Sequence, residues 1–379
     1  MNVKLTPKLI SQLKNNYIVW FETSNQYIVI SDTLKDLIEV YLISHSQADF
    51  ITQLHIDFNI SSAQAELYYN EITNVLITSN TIVNPKSQQS PIPLTPKKAL
   101  NLYYGFGDTT MSINFGSQSI KNLIHPQFAH ATIEKPNAVS CHFDIYKYGD
   151  SLYLLKNGAY IEHYSISDFH LLQGRFAVEL INLLYDKQEA DWIGTFHAST
   201  VCNAKEAIMI IGDSGNGKST LSALLMASGM DVIADDFTPL SAINQEVYRF
   251  PSGISVKEGA FVILEEIFSE FDQFPIHPST SKHVNLKYIP PVNDFENSIL
   301  HLPCKKVVYV KYDAAVSSTL KKVDTDQILA TLIPESWLSP LATNAQLFLD
   351  WLQNLECFEL QYADNNFAIS QFKKLFEAL

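Results

Sequence analysis

The sequence predicts an α/β protein in which a small N-terminal module and a strand-rich region precede a C-terminal domain with a phosphate-binding loop. Three observations support this prediction. A β-hairpin pattern and three helical patterns fill the first 83 residues, a proline-rich segment follows, and strands alternate with helices after residue 191. The chain has 379 residues, which is more than one core usually organises, so several domains are expected.

The N-terminal module is expected to span residues 1–83. Two β-rich runs, at residues 17–21 and 27–30, flank a polar turn and indicate a hairpin. Asp32 and Thr33 are the predicted caps of a first helix, and serines precede the next two. The three helical patterns cover residues 34–44, 47–58 and 63–78. A hairpin with three short helices is typical of a winged-helix module.

Three further regions are predicted along the chain. Residues 84–96 are the expected linker, because four of these thirteen residues are proline and most of the others are polar. Residues 97–190 are expected to form a strand-rich subdomain packed on the C-terminal domain, closed by a helix over residues 171–186. Its clearest strand patterns lie at residues 132–134, 140–147 and 151–155. Residues 191–379 are expected to form the catalytic α/β domain, with a partly parallel sheet.

Composition and charge exclude several classes of function. The net charge of −14 argues against nucleic acid or an anionic membrane as the main partner, because both attract basic surfaces. No apolar run is long enough to span a bilayer, and the polar N-terminus lacks a signal-peptide core, so we expect a cytoplasmic protein. The cysteines are scattered without a CxxC pair, which argues against a zinc site or a disulfide framework. They are Cys141, Cys202, Cys304 and Cys357.

The strongest motif is a glycine-rich loop between a strand and a helix. An apolar strand at residues 206–211 leads into the loop, and an apolar helix at residues 221–228 follows and stops at Gly229. The loop matches G-x-x-x-x-G-K-[ST] in the required strand–loop–helix context. Its residues are the candidate nucleotide ligands: Gly212, Asp213, Ser214, Gly215, Asn216, Gly217, Lys218, Ser219 and Thr220.

The residue types of this loop suit the binding of ATP or another phosphate donor together with Mg²⁺. Glycines let backbone amides approach phosphate oxygens, and the N-terminus of the following helix adds partial positive charge. Lys218 supplies a mobile cation for the outer phosphates, and the Ser219 hydroxyl can bind Mg²⁺. The sequence does not identify the donor, because such a loop contacts phosphates and not the base.

An acidic pair and a histidine flank the loop in sequence. Asp235 and Asp236 end the strand that comes next along the chain, so adjacent strand ends are expected to bring them near the phosphates. One carboxylate could bind Mg²⁺ while the other accepts a hydroxyl proton. We assign Asp236 to the metal and Asp235 to the proton, although the sequence leaves the reverse open. His197 precedes the strand expected beside the loop strand and could face the transferred phosphate, although a structural role is equally open.

Together these residues resemble the HPr kinase/phosphorylase group of P-loop kinases, which is related in fold to phosphoenolpyruvate carboxykinase. The shared features are His197, the loop from Gly212 to Ser219, and residues 233–236, which read Ile-Ala-Asp-Asp. The resemblance implies that His197 lies near the transferred phosphate, that the aspartates supply Mg²⁺ binding and acid/base chemistry, and that the protein could form homo-oligomers.

The sequence departs from the bifunctional members of that group. Thr220 stands where they have glutamate, and we find no match to their arginine-containing second signature. Residues 251–257 resemble instead a segment of an HPr-kinase-related branch that is often found in peptide-modification gene sets. The resemblance therefore favours a kinase without phosphorolysis, although the sequence leaves phosphorolysis open. Lys257 in this segment could contact a phosphate or could be a solvated surface residue.

The N-terminal module resembles PqqD-like peptide-recognition domains. The resemblance rests on the hairpin at residues 17–30, the following Ser31–Ile38 stretch and the last helix through residues 72–77. It implies binding of a leader peptide as an added strand at a sheet edge. The alternative is a DNA-binding winged helix. Only four lysines and no arginine precede the linker, which favours a peptide.

The sequence thus predicts a Mg²⁺-dependent P-loop kinase that phosphorylates a serine hydroxyl of a peptide or protein, recruited through residues 1–83. The catalytic residues are expected to be Asp235, Asp236, His197 and Lys218, with Ser219 and Asp236 at the metal. Two alternatives remain. One is a kinase of a free amino acid or sugar, and the other is a regulatory protein that binds nucleotide without transferring phosphate.

Overall fold

The computed structural model describes residues 5–82, 100–279 and 284–377. The predicted linker at residues 84–96 lies outside these ranges. The described residues form a mixed α/β protein with a small N-terminal sheet, a six-stranded middle sheet, a ten-stranded C-terminal sheet and a short three-stranded sheet. None of the helices in the described ranges has the length and apolar character needed to cross a membrane.

The N-terminal region is an antiparallel sheet of order β1-β2-β3 covered by three helices. The predicted hairpin is present as β2 and β3, while the additional strand β1 was not predicted from the sequence. Ser31 caps the first helix by accepting from the Leu34 amide, so the predicted caps Asp32 and Thr33 lie inside that helix instead. The elements are β1 (Leu9–Leu13), β2 (Asn16–Phe21), β3 (Gln26–Ser31), α1 (Asp32–Ile43), α2 (Gln47–Phe58) and α3 (Ser62–Asn80).

The middle region is a sheet of order β6-β4-β5-β7-β8-β9 with helices α4 and α5. Its apolar residues join those of the C-terminal region in one hydrophobic core, which is why the two regions are packed together. The elements are β4 (Leu100–Phe106), β5 (Thr109–Phe115), α4 (Gln118–Phe128), β6 (Thr132–Ile133), β7 (Cys141–Tyr148), β8 (Ser151–Lys156), β9 (Ala159–Ser165) and α5 (Phe169–Tyr185).

The C-terminal region begins with the strands that carry the predicted site. The predicted alternation of strands and helices is only partial, because three consecutive strands precede the helix α6 and four follow it along the chain. The elements are β10 (Trp192–Phe196), β11 (Ser199–Cys202), β12 (Ala207–Ile211), α6 (Lys218–Ala227), β13 (Asp231–Ala234), β14 (Thr238–Ser241), β15 (Glu246–Tyr248) and β16 (Ile254–Lys257).

The remaining elements complete the large sheet, whose main strand order is β13-β11-β12-β19-β15-β14-β10-β21. Parallel pairing occurs between β12 and β19 and between β19 and β22, so the sheet is partly parallel as predicted. The elements are α7 (Phe261–Glu265), β17 (His277–Ser279), β18 (Val284–Ile289), β19 (His301–Tyr312), β20 (Thr319–Val323), α8 (Thr325–Leu332), β21 (Trp337–Leu338), α9 (Ala342–Gln353), β22 (Glu356–Tyr362) and α10 (Asn365–Glu377).

The strand that carries the acidic pair is not adjacent to the strand that carries the glycine-rich loop, which corrects the prediction. Strand β11 lies between β12 and β13 and pairs antiparallel with both. Strands β12 and β13 therefore run in the same direction, and their C-terminal ends lie at the same edge of the sheet. The N-terminal end of β11 lies at this edge too, so three chain segments meet there.

The N-terminal module packs directly on the C-terminal region. Leu13 and Ile18 belong to the same core cluster as Phe348 of α9. The Tyr27 ring contacts the Phe348 ring edge-on, with centroids 5.2 Å apart. The Gln353 side chain of α9 also donates to the Ser11 hydroxyl of β1. Because these contacts include apolar core residues, we expect the described N-terminal residues to stay attached to the C-terminal region.

Candidate active site at the glycine-rich loop

The glycine-rich loop, residues 212–220, connects β12 to the N-terminus of α6. The backbone requires all three of its glycines, of which Gly212 and Gly217 show the two reasons. A Cβ at Gly212 would lie 2.6 Å from the Val310 carbonyl oxygen on β19, which no larger residue could tolerate. Gly217 precedes α6 with a φ of +88°, in the left-handed region that favours glycine. The sequence therefore forms a tight turn that ends at a helix N-terminus, a geometry suited to anions.

Polar contacts fix the shape of this loop. The Lys218 side chain is buried, and its ammonium group donates to the Gly212 carbonyl oxygen, so it lies across the loop. The Tyr309 hydroxyl of β19 donates to Asp213 Oδ2 at 2.9 Å. The Asn216 amide donates to the same Tyr309 hydroxyl at 3.2 Å. Strand β19 thus holds the loop in place, and the Lys218 ammonium group already lies within the loop.

Asp235 is the most buried carboxylate at this edge, with 3% of its surface exposed. The Ser199 hydroxyl of β11 donates to Asp235 Oδ1, and the Ser255 backbone amide donates to Oδ2 at 3.0 Å. The Ser219 hydroxyl on α6 also interacts with this carboxylate. Burial raises the pKa of Asp235 to about 7, and repulsion from Asp236 adds to the rise. Asp235 is therefore a carboxylate that needs a cation beside it to be fully ionised at neutral pH.

Asp236 has a different environment from its neighbour. Its side chain is 41% exposed, and one oxygen accepts a hydrogen bond from the Ser255 hydroxyl at 3.1 Å. Its φ of +60° lies in the left-handed region, which is uncommon for a residue other than glycine. The other oxygen lies 3.9 Å from His197 Nε2, so Asp236 is the member of the pair that faces the histidine.

His197 lies between β10 and β11, at the edge where the loop and the acidic pair meet. Its ring is about one third exposed, and its Nε2 atom has two acidic neighbours, Asp236 and Glu335. The Glu335 carboxylate lies closer, at 3.6 Å. The predicted histidine, acidic pair and loop are thus all placed at one edge of the sheet.

Several residues around this site were not identified from the sequence. Ser255 contacts both aspartates. It lies in the 251–257 segment, and the resemblance of that segment to a kinase branch could have identified Ser255 from the sequence. Lys257 is two residues further along β16, so the two side chains share one face of that strand. Ser199, Tyr309 and Glu335 carry no local sequence signal, because they reach the site only through strand pairing.

The donor set at this edge fits Mg²⁺ bound together with phosphates. Hard oxygen ligands are available from the Ser219 hydroxyl and the Asp235 carboxylate, which lie side by side. Among the residues that the structure describes, no group of three or more His, Cys, Asp or Glu side chains converges on a metal position. Mg²⁺ in kinases is usually held by one or two protein groups plus substrate phosphates and water, so two residues suffice.

The four cysteines are all buried and unpaired. Burial raises the pKa of Cys202 and of Cys304 to about 12, which keeps their thiols protonated and unreactive at neutral pH. Cys141 and Cys357 are shifted in the same direction for the same reason. None of these thiols is therefore a candidate nucleophile.

Comparisons with known proteins do not assign a function to this site. No family model matches the sequence, and no curated protein matches it. Among solved structures, the chain is similar to the Hpr(Ser) kinase/phosphatase from Coxiella burnetii, with 11% identity over 49% of this chain and 99% of that chain and a TM-score of 0.23. A similarity of this size carries no argument about what this chain does.

Proposed function

We propose that this protein is a Mg²⁺-dependent kinase that transfers the γ-phosphoryl group of a nucleoside triphosphate to a serine hydroxyl of a peptide or protein. One observation carries the proposal. The glycine-rich loop with Lys218, the Ser219 hydroxyl and two carboxylates of different exposure meet at one edge of the sheet. Phosphoryl transfer depends mainly on positioning and charge neutralisation, and these groups supply both.

The loop is proposed to bind the donor. Its backbone amides and the N-terminus of α6 would bind phosphate oxygens, and Lys218 would move from the Gly212 carbonyl to the outer phosphates. Tyr309 keeps the loop in place through its contacts with Asn216 and Asp213. The bound Mg²⁺ would neutralise charge on the phosphates during transfer.

The geometry favours an exchange of the two aspartate roles assigned from the sequence. Asp235 lies beside Ser219, its carboxylate is buried, and a metal ion next to it would relieve the cost of ionising it. We therefore place Asp235 with Ser219 on the metal side. Asp236 is partly exposed and faces His197, where an acceptor hydroxyl could approach. We place Asp236 on the acceptor side, as the base.

The proposed reaction is a direct displacement. The acceptor oxygen forms a bond to the γ-phosphorus while the bond from that phosphorus to the β–γ bridging oxygen breaks, which leaves a nucleoside diphosphate. The hydroxyl proton passes to the Asp236 carboxylate. His197, whose Nε2 lies 3.9 Å from Asp236, is placed to donate a hydrogen bond to the transferred group.

Recruitment of a peptide by the N-terminal module remains part of the proposal. Strand β3 ends the order β1-β2-β3, and no strand within the described ranges pairs with its outer edge. Val29 on this strand is 40% exposed. An extended peptide could add to this edge through backbone hydrogen bonds, as the resemblance to PqqD-like domains implies.

A transfer assay with identified products tests the proposal. The full chain is incubated with ATP, Mg²⁺ and three kinds of acceptor: a leader-bearing serine peptide, its leaderless core, and free amino acids or sugars. Mass spectrometry then locates any added phosphoryl group. We expect it on the serine of the leader-bearing peptide. Transfer to the small molecules alone would indicate the small-molecule kinase, and nucleotide binding with no transfer would indicate the regulatory protein.

A further inference from the structure

Backbone pairing places Glu335 beside His197. Strand β21 pairs antiparallel with β10, with Thr195 opposite Trp337. Continuing this register by two residues brings Glu335 opposite His197, in agreement with the distance of 3.6 Å between Oε2 and Nε2. The pairing depends on Gly194, because a Cβ there would lie 2.6 Å from the Trp337 carbonyl oxygen. The position of Glu335 is therefore set by the β21 strand and not by its own exposed side chain.

The helix before this strand contacts the glycine-rich loop. Thr331, in the last turn of α8, donates from its hydroxyl to Asp213 Oδ1 at 3.4 Å. We name residues 324–338, from the N-cap of α8 to the end of β21, the strut. Along one continuous segment the strut thus contacts the loop through Thr331 and His197 through Glu335. A displacement of the strut would move both contacts.

The N-terminal module contacts the start of the strut. The Lys14 ammonium forms an ion pair with Asp324, the N-cap residue of α8. Asn16, at the start of β2, donates from its side-chain amide to Asp326 in the first turn of the same helix. The Lys14 pair is exposed, and pairs of that kind contribute little to stability. The Asn16 contact is partly buried and is the stronger constraint at this end.

The module also contacts the end of the strut. The Asn25 amide, in the turn between β2 and β3, donates to the Leu338 carbonyl oxygen at 2.8 Å. A second hydrogen bond fixes the orientation of Asn25, because its side-chain oxygen accepts from the indole nitrogen of the buried Trp20 at 2.8 Å. The two turns of the module therefore hold the strut at both of its ends.

We propose that Glu335 is a positioning residue for His197 and that the N-terminal module sets its position through the strut. The module then acts on the catalytic site as well as on recruitment of the peptide. Where it concerns the rate of transfer, this inference rests on the proposed function. The mechanical connection from Asn25 to His197 does not, since it follows from the contacts alone.

Asn25→Asp is the sharpest perturbation of this connection. Aspartate keeps the acceptor for Trp20 and tolerates the left-handed backbone of this turn, where φ is +55°. It loses the donor to the Leu338 carbonyl and places a negative charge against that oxygen. Glu335→Gln removes the charge beside His197 at the other end of the connection. Asn80→Ala is the matched control, because Asn80 donates to Leu5 and Leu76 within the module and does not touch the strut.

The first measurement does not depend on transfer. The full chain is labelled on its histidine rings, and the His197 signals are identified by their loss in His197→Gln. We expect both Asn25→Asp and Glu335→Gln to shift the His197 ring resonances, while Asn80→Ala leaves them in place. Unchanged His197 signals in Asn25→Asp would refute the connection, and this holds whether or not the protein proves to be a kinase.

The second measurement concerns the rate. We expect Glu335→Gln and Asn25→Asp each to lower kcat about 3- to 10-fold, as for loss of one polar contact to His197. Glu335→Gln should leave the affinity for nucleotide unchanged, because this variant does not move the strut. The double variant should be no slower than Glu335→Gln alone, because both act through the same contact. Shifted His197 signals with a wild-type kcat would refute the positioning role. If the wild-type chain transfers nothing, the proposed function fails, and the His197 signals still decide the connection.

Discussion

The buried carboxyl of Asp235 makes the stability of this protein depend on pH in an unusual direction. Its pKa is raised from 3.8 to about 7, first by burial and second by the charge of Asp236. Between these two values the folded protein keeps a proton that the unfolded chain has released. The free energy of unfolding therefore falls as pH rises through this window. Below about pH 4 Asp235 does not change the free energy of unfolding, and above about pH 7 it lowers that free energy by its full amount.

The size of this effect follows from the shift of the pKa. Raising the pKa from 3.8 to about 7 makes ionisation of Asp235 in the folded protein about 4 kcal/mol more costly than in the unfolded chain. Asp235→Asn removes the ionisation and with it this cost. The side chain has 3% of its surface exposed, so solvent screens the effect little. Asp236→Asn is the matched control, since it removes only the repulsive charge and should reduce the effect in part.

Urea unfolding at about pH 4.5, 6 and 8 measures the effect directly. Relative to wild type, Asp235→Asn should gain free energy of unfolding steadily from the lowest pH to the highest, by up to about 4 kcal/mol. Magnesium ions should reduce the difference in free energy of unfolding between Asp235→Asn and wild type at high pH, because they stabilise ionised Asp235 in the wild type only. Parallel pH profiles for wild type and Asp235→Asn would refute the argument that Asp235 is a buried, costly carboxylate.

Two further predictions concern the aspartate roles and the module. In steady-state assays over a range of Mg²⁺ concentrations, Asp235→Asn should recover part of its activity at high Mg²⁺, while Asp236→Asn should stay about 10²- to 10⁴-fold slow, as for loss of a base; recovery of Asp236→Asn alone would restore the assignment made from the sequence. Val29→Lys, on the outer edge of β3, should raise KM for a leader-bearing peptide by at least about tenfold with kcat unchanged. The KM for a leaderless peptide should not change. The control is Ile10→Lys on β1, where Ile10 is 44% exposed. Equal KM values for the leader-bearing peptide in both variants would contradict recruitment at β3.

Local sequence patterns predicted the elements that carry the site. The second helix was predicted at residues 47–58 and is found at Gln47–Phe58, because a serine cap and an apolar face define it locally. The glycine-rich loop was predicted because its glycines meet a local backbone requirement, as the φ of +88° at Gly217 illustrates. Signals of this kind need no knowledge of the rest of the chain.

The parts that the sequence did not predict depend on which strands pair. The position of β11 between β12 and β13 could not be read from spacing, because Asp235 follows the loop by few residues whichever strand intervenes. Glu335 lies 138 residues from His197 in sequence and meets it only through the register of β10 and β21. Asp235 is buried and Asp236 is partly exposed although they are neighbours in sequence, because the surrounding strands and not the local pattern decide their burial. The assignment of their roles from sequence had no basis in geometry for that reason.

Transfer of the γ-phosphoryl group by Lys218→Ala tests the central claim most directly. Lys218 lies within the loop and would contact the outer phosphates. Lys205 is exposed in the turn between β11 and β12, so Lys205→Ala is the matched control for loss of a positive charge. With γ-labelled ATP, Mg²⁺ and a serine peptide, we expect label on the peptide for wild type and Lys205→Ala. We expect Lys218→Ala to transfer label at least about 10²- to 10³-fold more slowly, with the fold retained. Label transfer at the wild-type rate by Lys218→Ala would contradict the claim that this loop is the catalytic site.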